Sequence, residues 1–371
     1  MRVIIAGGGT GGHLYPGLAV AEAFKEQEAA KDILFVGTEH GIEARVVPKE
    51  GYPIKFVKAE GVAGKNIARK VRALFVFVLS LKDSGAIVRT FRPDIVIGVG
   101  GYASAGAVCA AWWQKVPTMI LEQNSVPGLA NRILGKMADA VAVTYQESLP
   151  FFPDGKTFLT GNPVRKGIVR KETRSAHRIF SLVNERFTVL VFGGSAGARS
   201  INRAMAEALP YLQGLRGRIQ FLHQTGERDH AEVAAAYRAQ GFQGTVVPFI
   251  YQMAEAYAAA DLVICRAGAT TLAELTAVGK PSILVPYPYA AANHQEHNAR
   301  KLEDMGAARM IRDRDLSGRV IASAIEELYN DENLRKEMQR ASTAFGKVDA
   351  AERVVAVAMS LLARRRAGRG A

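Results

Sequence analysis

Cysteine is nearly absent from this 371-residue sequence, with Cys109 and Cys265 as the whole complement. They stand far apart inside apolar runs, which argues against a disulfide framework or a thiolate metal site and fits a reducing cytoplasm. Long apolar runs are missing as well. The longest, Ala73 to Leu81, is under half of the roughly 20 residues that a membrane-spanning helix needs. The N-terminus has one Arg before a short apolar strand and no signal-peptide core, so export is not expected. Charged residues are only 22% against 49% hydrophobic and no low-complexity block occurs, which together argue against a disordered chain. No Gly-Lys-[Ser/Thr] follows a glycine turn, and Gly64-Lys65-Asn66 lacks the required spacing, which argues against a P-loop nucleotide site. Acidic residues are few beside basic ones: 35 against 48 give a net charge of +13 and a pI near 9.8. That balance favours anionic partners, whether nucleic acid, acidic lipid or phosphorylated substrate.

Hydrophobic residues make up 49% of the chain, enough for an ample core, and the length suggests two domains. Short apolar runs alternate with helical patterns: Val3–Ala6, Ile33–Val36, Asp94–Val99, Pro117–Leu121 and Ala140–Val143. After a charged segment the pattern restarts with Thr188–Phe192, Arg218–Leu222, Thr245–Ile250, Asp261–Cys265 and Ser282–Val285. Strands buried on both faces between helices read as parallel α/β sheets, and ligands bind beyond the carboxyl ends of such strands. Past Leu316 the chain reads as helix, ending in a basic tail, Arg364 to Arg369, expected to be mobile or to lie on acidic lipid.

The opening strand runs into Gly7-x-Gly9-x-x-Gly12, the fingerprint of a dinucleotide-binding turn. An NAD-linked oxidoreductase is therefore one reading. The ribose-binding acid is wanting, however: the next strand ends in Gly37-Thr38, and Glu39 comes late. His13, just behind the glycines, can present its ring to a ligand. Gly193-Gly-Ser195 repeats the strand-to-glycine-turn logic and suits a phosphate. In Arg266-Ala-Gly268-Ala-Thr-Thr271-Leu-Ala-Glu274, Thr271 and Glu274 fit a capping box, while Glu274 could equally accept ribose hydroxyls. The amides of Asn293 to Asn298 suit sugar hydroxyls, and His294 with His297 lacks a zinc-protease pattern. Asp313-x-Asp315 resembles a metal-diphosphate pair, but an N-cap is the expected role of Asp315. In the first half, Gly98 to Ser104 and Glu122-Gln123-Asn124 end strands in polar or glycine-rich turns, and are expected on one acceptor and catalytic rim.

Taken in order, Gly8–His13, Gly100–Tyr102, Glu122–Asn124, Thr160–Arg165, Gly193–Ser195 and Gly268–Glu274 resemble the MurG family, bacterial N-acetylglucosaminyltransferases of peptidoglycan synthesis. The resemblance covers nearly the whole chain. It implies the GT-B fold: two Rossmann-like parallel-sheet α/β domains facing across a cleft, here 1–163 for acceptor and membrane, 164–345 for the UDP-sugar, and 346–371 as a C-terminal helix and tail packing back on the first. It implies inverting transfer of N-acetylglucosamine from UDP-N-acetylglucosamine to the muramyl 4-hydroxyl of undecaprenyl-diphospho-muramoyl-pentapeptide, without metal or cofactor. The opening glycines, Gly11 and Gly12 among them, would then face the lipid diphosphate, and Thr10 and Tyr102 would bind substrate on the same acceptor wall. Arg165 and Ser195 would meet the donor diphosphate, Ile250 the uracil, and Ala269, Thr270, Thr271, Leu272, Ala273 and Glu274 the nucleotide, with Glu274 on the ribose. Gln295 and Asn124 would reach the sugar. His13 is the first choice of base and Glu122 the second. Three departures from the family pattern, at Ser104-Ala105-Gly106, Ala196 and Leu121, touch no proposed reacting group.

Arg69, Lys70 and Arg72 precede Leu74, Phe75, Phe77 and Val78, and Trp112-Trp113 ends a helix. Basic residues beside aromatics suit an anionic bilayer surface, and the resemblance implies the cytoplasmic face of the bacterial plasma membrane, among other cell-wall synthesis and division proteins. A non-catalytic, sugar-nucleotide-binding scaffold is a rival reading. A nucleic-acid partner is not expected, for want of a stacking platform of interleaved aromatic and basic residues.

Overall fold

A computed structural model describes residues 1–59, 67–169 and 173–367, with side chains for all of these but 67–74 and 173–175. Gly64-Lys65-Asn66 and the end of the basic tail lie outside the described residues. The chain divides into two compact units, Met1–Arg165 with the segment from Val348 onward, and Lys166–Lys347.

Among the described residues the first unit holds a seven-stranded sheet of β1 (Arg2–Gly7), β2 (Asp32–Gly37), β3 (Ile54–Phe56), β4 (Ile95–Gly100), β5 (Thr118–Glu122), β6 (Ala140–Val143) and β7 (Thr157–Leu159). Their order is β3-β2-β1-β4-β5-β6-β7, with every neighbouring pair parallel. The second unit holds six strands: β8 (Phe187–Phe192), β9 (Ile219–Gln224), β10 (Gly244–Val247), β11 (Leu262–Cys265), β12 (Ser282–Leu284) and β13 (Ala308–Met310). They are also parallel, in the order β10-β9-β8-β11-β12-β13. In each sheet the chain reverses direction of travel beside its first strand, between β1 and β4 and between β8 and β11, which is where doubly wound sheets bind ligands.

The connecting helices of the first unit are α1 (Gly11–Glu26), α2 (Glu43–Lys49), α3 (Ile67–Phe91), α4 (Tyr102–Trp113) and α5 (Leu129–Met137). Those of the second are α6 (Lys166–Val169), α7 (Thr173–Ile179), α8 (Arg199–Ala208), α9 (His230–Ala239), α10 (Met253–Ala259), α11 (Ala269–Ala277), α12 (His294–Asp304), α13 (Gly318–Asn330) and α14 (Glu332–Phe345). The last helix, α15 (Ala350–Ala367), belongs to the first unit.

Strand residues alternate between faces, and both faces are covered, which is why the strands read as unbroken apolar runs. Val3 and Ile5 pack with α1 and α15, whereas Ile4 and Ala6 pack with α4 on the opposite face. The apolar stripe of α15, Ala351, Val354, Val355, Ala358 and Leu362, follows helical spacing and joins the core of β1 and β4.

Three expectations need correction. The basic tail is not mobile as far as Ala367, where α15 ends, and Arg365 is pinned at 2.6 Å to Asp139 and at 3.0 Å to the Lys115 carbonyl; the other alternative, a place on acidic lipid, is untouched by this. Asp315 is not an N-cap, because α13 starts later and Ser317 accepts from the Val320 N–H. Strand β10 stops at Val247, short of Ile250. The sheet-edge strands β3, β7 and β13, three residues each, had no counterpart in the apolar pattern.

Candidate active site

On the first sheet the carboxyl ends of β1, β4 and β5 carry the glycine turns and the polar triplet. The two turns touch backbone to backbone: Gly101 has φ 83°, and a Cβ there would lie 2.5 Å from the Gly8 carbonyl oxygen. Only glycine meets both demands. His13, in the first turn of α1, lays its ring against Gly100, where a Cβ would stand 2.5 Å from Cδ2, and its Nδ1 lies 3.4 Å from Thr10 Oγ1. Thr10 and Gly12 are exposed, Gly11 and His13 half-buried, and Tyr102 is exposed at the start of α4.

Under the opening loop lies a residue that the sequence reading missed. Glu43 is fully buried; its Oε2 accepts from the Gly9 N–H at 2.7 Å and its Oε1 from the Thr38 N–H and hydroxyl, both at 2.8 Å. The acid absent from the end of β2 is thus supplied six residues later, and it braces the loop.

Glu122 ends β5 at 2% exposure. Its Oε1 accepts from the backbone and side-chain N–H groups of Asn124 at 2.9 and 3.2 Å, and its Oε2 from Asn131 Nδ2 at 2.8 Å. Burial pushes its carboxyl above the ordinary range, against these bonds and one from the Gly128 backbone. Ser148 Oγ holds the Asn124 carbonyl at 2.8 Å, so Asn124 is gripped at both ends of its backbone. Arg165 stacks on the Tyr15 ring of α1 at 4.2 Å, and its buried Nε has no hydrogen-bond partner among the described residues.

On the second sheet the carboxyl ends of β8, β9, β11 and β12 converge. Gly194, Ser195 and Ala196 are exposed in the loop that precedes α8. Helix α11 begins at Ala269 with Gly268 as its N-cap and no side-chain cap, so the capping box read at Thr271 is overturned: Thr271 is already inside the first turn. The N-terminal turn of such a helix carries the positive end of its dipole and suits an anion. Glu274 is buried one turn further on, where its Oε2 accepts from the Tyr257 hydroxyl at 2.9 Å. Leu272 is a core side chain at 1% exposure, whereas Thr271 and Ala273 are half-buried. The Ile250 side chain is buried too, and its N–H donates to Gln224.

Arg266 donates at 2.5 Å to Asp313 Oδ1 and at 2.8 Å to Ser200 Oγ, and also to the Val285 and Pro286 carbonyls. Asp313, the first acid of the Asp-x-Asp, is committed to that cation. Gln295 Oε1 accepts the Tyr287 N–H at 3.0 Å, behind Ala292 and Asn293, which both adopt left-handed backbone. Among the described residues no three His, Cys, Asp or Glu side chains gather as a metal site.

Residues 3–143 match the glycosyltransferase family 28 N-terminal domain, and residues 188–354 match the glycosyltransferase family 28 C-terminal domain. The chain belongs to glycosyltransferase family 28. Among its family 28 relatives, a protein of Thermodesulfovibrio yellowstonii is 53% identical over 366 residues, covering 99% of this chain and 100% of that one. A Myxococcus xanthus protein is 47% identical over 362 residues, covering 98% and 93%. Both are named UDP-N-acetylglucosamine–N-acetylmuramyl-(pentapeptide) pyrophosphoryl-undecaprenol N-acetylglucosamine transferase. The crystal structure of Acinetobacter baumannii MurG matches with a TM-score of 0.73 at 29% identity, over 96% of this chain and 98% of that one. The two parallel sheets are the Rossmann-like halves of the family's GT-B fold.

Proposed function

We propose that the protein transfers N-acetylglucosamine from UDP-N-acetylglucosamine to the muramyl 4-hydroxyl of undecaprenyl-diphospho-muramoyl-pentapeptide, converting lipid I to lipid II with inversion. The observation that carries this reading is the full-length match to relatives bearing that name, 53% identical over 99% of the chain. The second unit binds the donor. The Ser195 loop and the uncapped start of α11 meet the diphosphate, Glu274 the ribose, Ile250 and its neighbours the uracil, and Gln295 the sugar. The first unit binds the lipid diphosphate through Thr10, Gly11, Gly12 and Tyr102, with Asn124 reaching the transferred sugar.

In the reaction the acceptor oxygen bonds to C1 of the sugar while the C1–O bond to the β-phosphate breaks and UDP leaves with the electron pair. The hydroxyl proton passes to a base. We assign that base to His13, because Glu122 is enclosed and its oxygens already accept from Asn124 and Asn131. Glu122 instead positions Asn124. Charge on the departing UDP is met by the α11 amides and by the Arg165 guanidinium.

Transfer of labelled sugar from UDP-N-acetylglucosamine to a short-chain lipid-linked muramyl pentapeptide, with and without EDTA, tests the reading. Product in both conditions is the expected result. Donor binding without product would favour a sugar-nucleotide-binding scaffold.

No helix among the described residues is long and apolar enough to cross a membrane. Trp113 is 82% exposed, Phe75 63%, Val78 53% and Trp112 45%, and Phe77 is half-buried; all lie on the packed pair α3 and α4. The side chains of Arg69, Lys70, Arg72 and Leu74 lie outside the described residues. These exposed apolar side chains support peripheral docking on the cytoplasmic side of the plasma membrane. Trp113→Ala is expected to weaken cosedimentation with phosphatidylglycerol vesicles about tenfold. Equal sedimentation of variant and parent would remove Trp113 from the docking face.

A further inference from the structure

Gln224, the last residue of β9, is 3% exposed and has a polar partner on each side of its amide. Its Nε2 donates to the Gly194 carbonyl at 2.8 Å, and its Oε1 accepts the Ile250 N–H at 2.8 Å. Turning the amide over would set oxygen against oxygen and N–H against N–H, so the two partners fix its orientation. One partner lies in the loop that the proposed function gives to the diphosphate, the other in the segment that it gives to the base.

A trans peptide points its C=O and N–H in opposite directions. Drawing the Gly194 carbonyl toward Gln224 therefore turns the N–H of exposed Ser195 away from it, as a donor. Drawing the Ile250 N–H inward likewise turns the Phe249 carbonyl away, as an acceptor. The turns that flank this bridge are closely packed, so a change at Gln224 acts on the Gly194–Ser195 and Phe249–Ile250 peptides between them. Gly197 and Gly226 have φ of 74° and 77°; a Cβ on Gly197 would collide with the Thr225 carbonyl and one on Gly226 with the Ala196 carbonyl. The Thr225 and Gly226 N–H groups in turn donate to the Val247 and Pro248 carbonyls, both at 3.0 Å.

We propose that Gln224 is a positioning residue for donor recognition: its single amide ties the Gly194 carbonyl, which also accepts from the Gly197 N–H at 2.9 Å, to the Ile250 N–H, and so holds the Ser195 N–H toward a phosphate and the Phe249 carbonyl toward the imide N–H of a uracil base. This proposal rests on the reading of the second unit as the UDP-sugar site. A pyrimidine with a lone pair in place of that N–H, as in cytosine, would meet oxygen against nitrogen lone pair, so the arrangement also selects the base.

The test is donor kinetics and nucleotide binding in the full chain with Gln224→Met, which keeps length and removes both bonds. Donor KM and the Kd for UDP are expected to rise about 10- to 100-fold, with kcat and acceptor KM little changed, the signature of lost binding. The preference for UDP over CDP is expected to fall about tenfold. A residue that only supports the fold would lower the active fraction and kcat and leave that preference intact, and this result would overturn the proposal. Gln224→Glu carries the test if the Met variant does not fold. It keeps an acceptor for Ile250 but sets an oxygen against the Gly194 carbonyl, so UDP affinity is expected to fall further than uridine affinity. Equal loss for the two would also overturn the proposal. Failure of the parent protein to bind UDP would instead bring down the donor-site reading, and this proposal with it.

Discussion

Replacing His13 with alanine is expected to lower turnover about 10²- to 10⁴-fold while leaving the Kd for UDP unchanged. The expectation rests on position. The ring stands behind the glycine turn at the carboxyl end of β1, held against Gly100 and beside Thr10, on the rim where a doubly wound sheet receives its ligand. The backbone of His13 lies in the first turn of α1, so the substitution disturbs no strand and removes no buried side chain. Single-turnover transfer with both substrates saturating, alongside a UDP titration, separates the two quantities. Near-normal turnover would take the base role from His13. Glu122→Gln should behave differently, because it places an N–H₂ among groups that already donate, and at a buried site such an unmatched donor costs about 1–3 kcal/mol. Its effect should appear in stability and in the placement of Asn124, with loss of donor affinity accompanying loss of rate.

The elements legible in the sequence were those with strong local causes. Strands such as Ile95–Gly100 are buried on both faces and so read as unbroken apolar runs, and the glycine turns stand at their ends. What escaped was governed by partners distant in sequence. Glu43 braces Gly9 from 34 residues away, whereas the acid nearest the end of β2 in sequence is Glu39. The edge strands β3, β7 and β13 have three residues each, too few to show a period, and pair on one side only. The capping box at Thr271 had the right spacing but the wrong start, because Gly268 already opens the helix in extended backbone. Gln224 does carry a local signal. Glu122-Gln123-Asn124 is a polar ending to a buried strand, and His223-Gln224-Thr225 ends β9 in the same way.

His223, beside that bridge, should make the stability of the second unit strongly dependent on pH. It is fully buried, with Nε2 3.1 Å from Asn202 Oδ1 and Nδ1 3.1 Å from the Tyr237 hydroxyl. Asn202 spends its amide hydrogens on the Thr225 carbonyl and on Asp229 Oδ2, so its oxygen accepts and the histidine proton resides on Nε2. Nδ1 then accepts from Tyr237, and the neutral ring is fully matched. Burial lowers its pKa from 6.5 to about 3. The unfolded chain therefore binds a proton below pH 6.5 that the folded chain refuses, and stability falls as pH drops from there toward 3. The slope is about 1.4 kcal/mol per pH unit, or about 2 kcal/mol lost by pH 5. Against a typical domain stability of about 5–15 kcal/mol that is a large share. His223→Gln removes the titration, so the difference between its urea stabilities at pH 7 and pH 5, followed by circular dichroism, should shrink by about 2 kcal/mol relative to the parent. Trp112 and Trp113 both lie in the first unit and serve as an internal control, since their fluorescence reports that unit. Parallel pH slopes for the variant and the parent would mean that the buried ring accepts its proton without unfolding, and the matched neutral network could not then be what holds it.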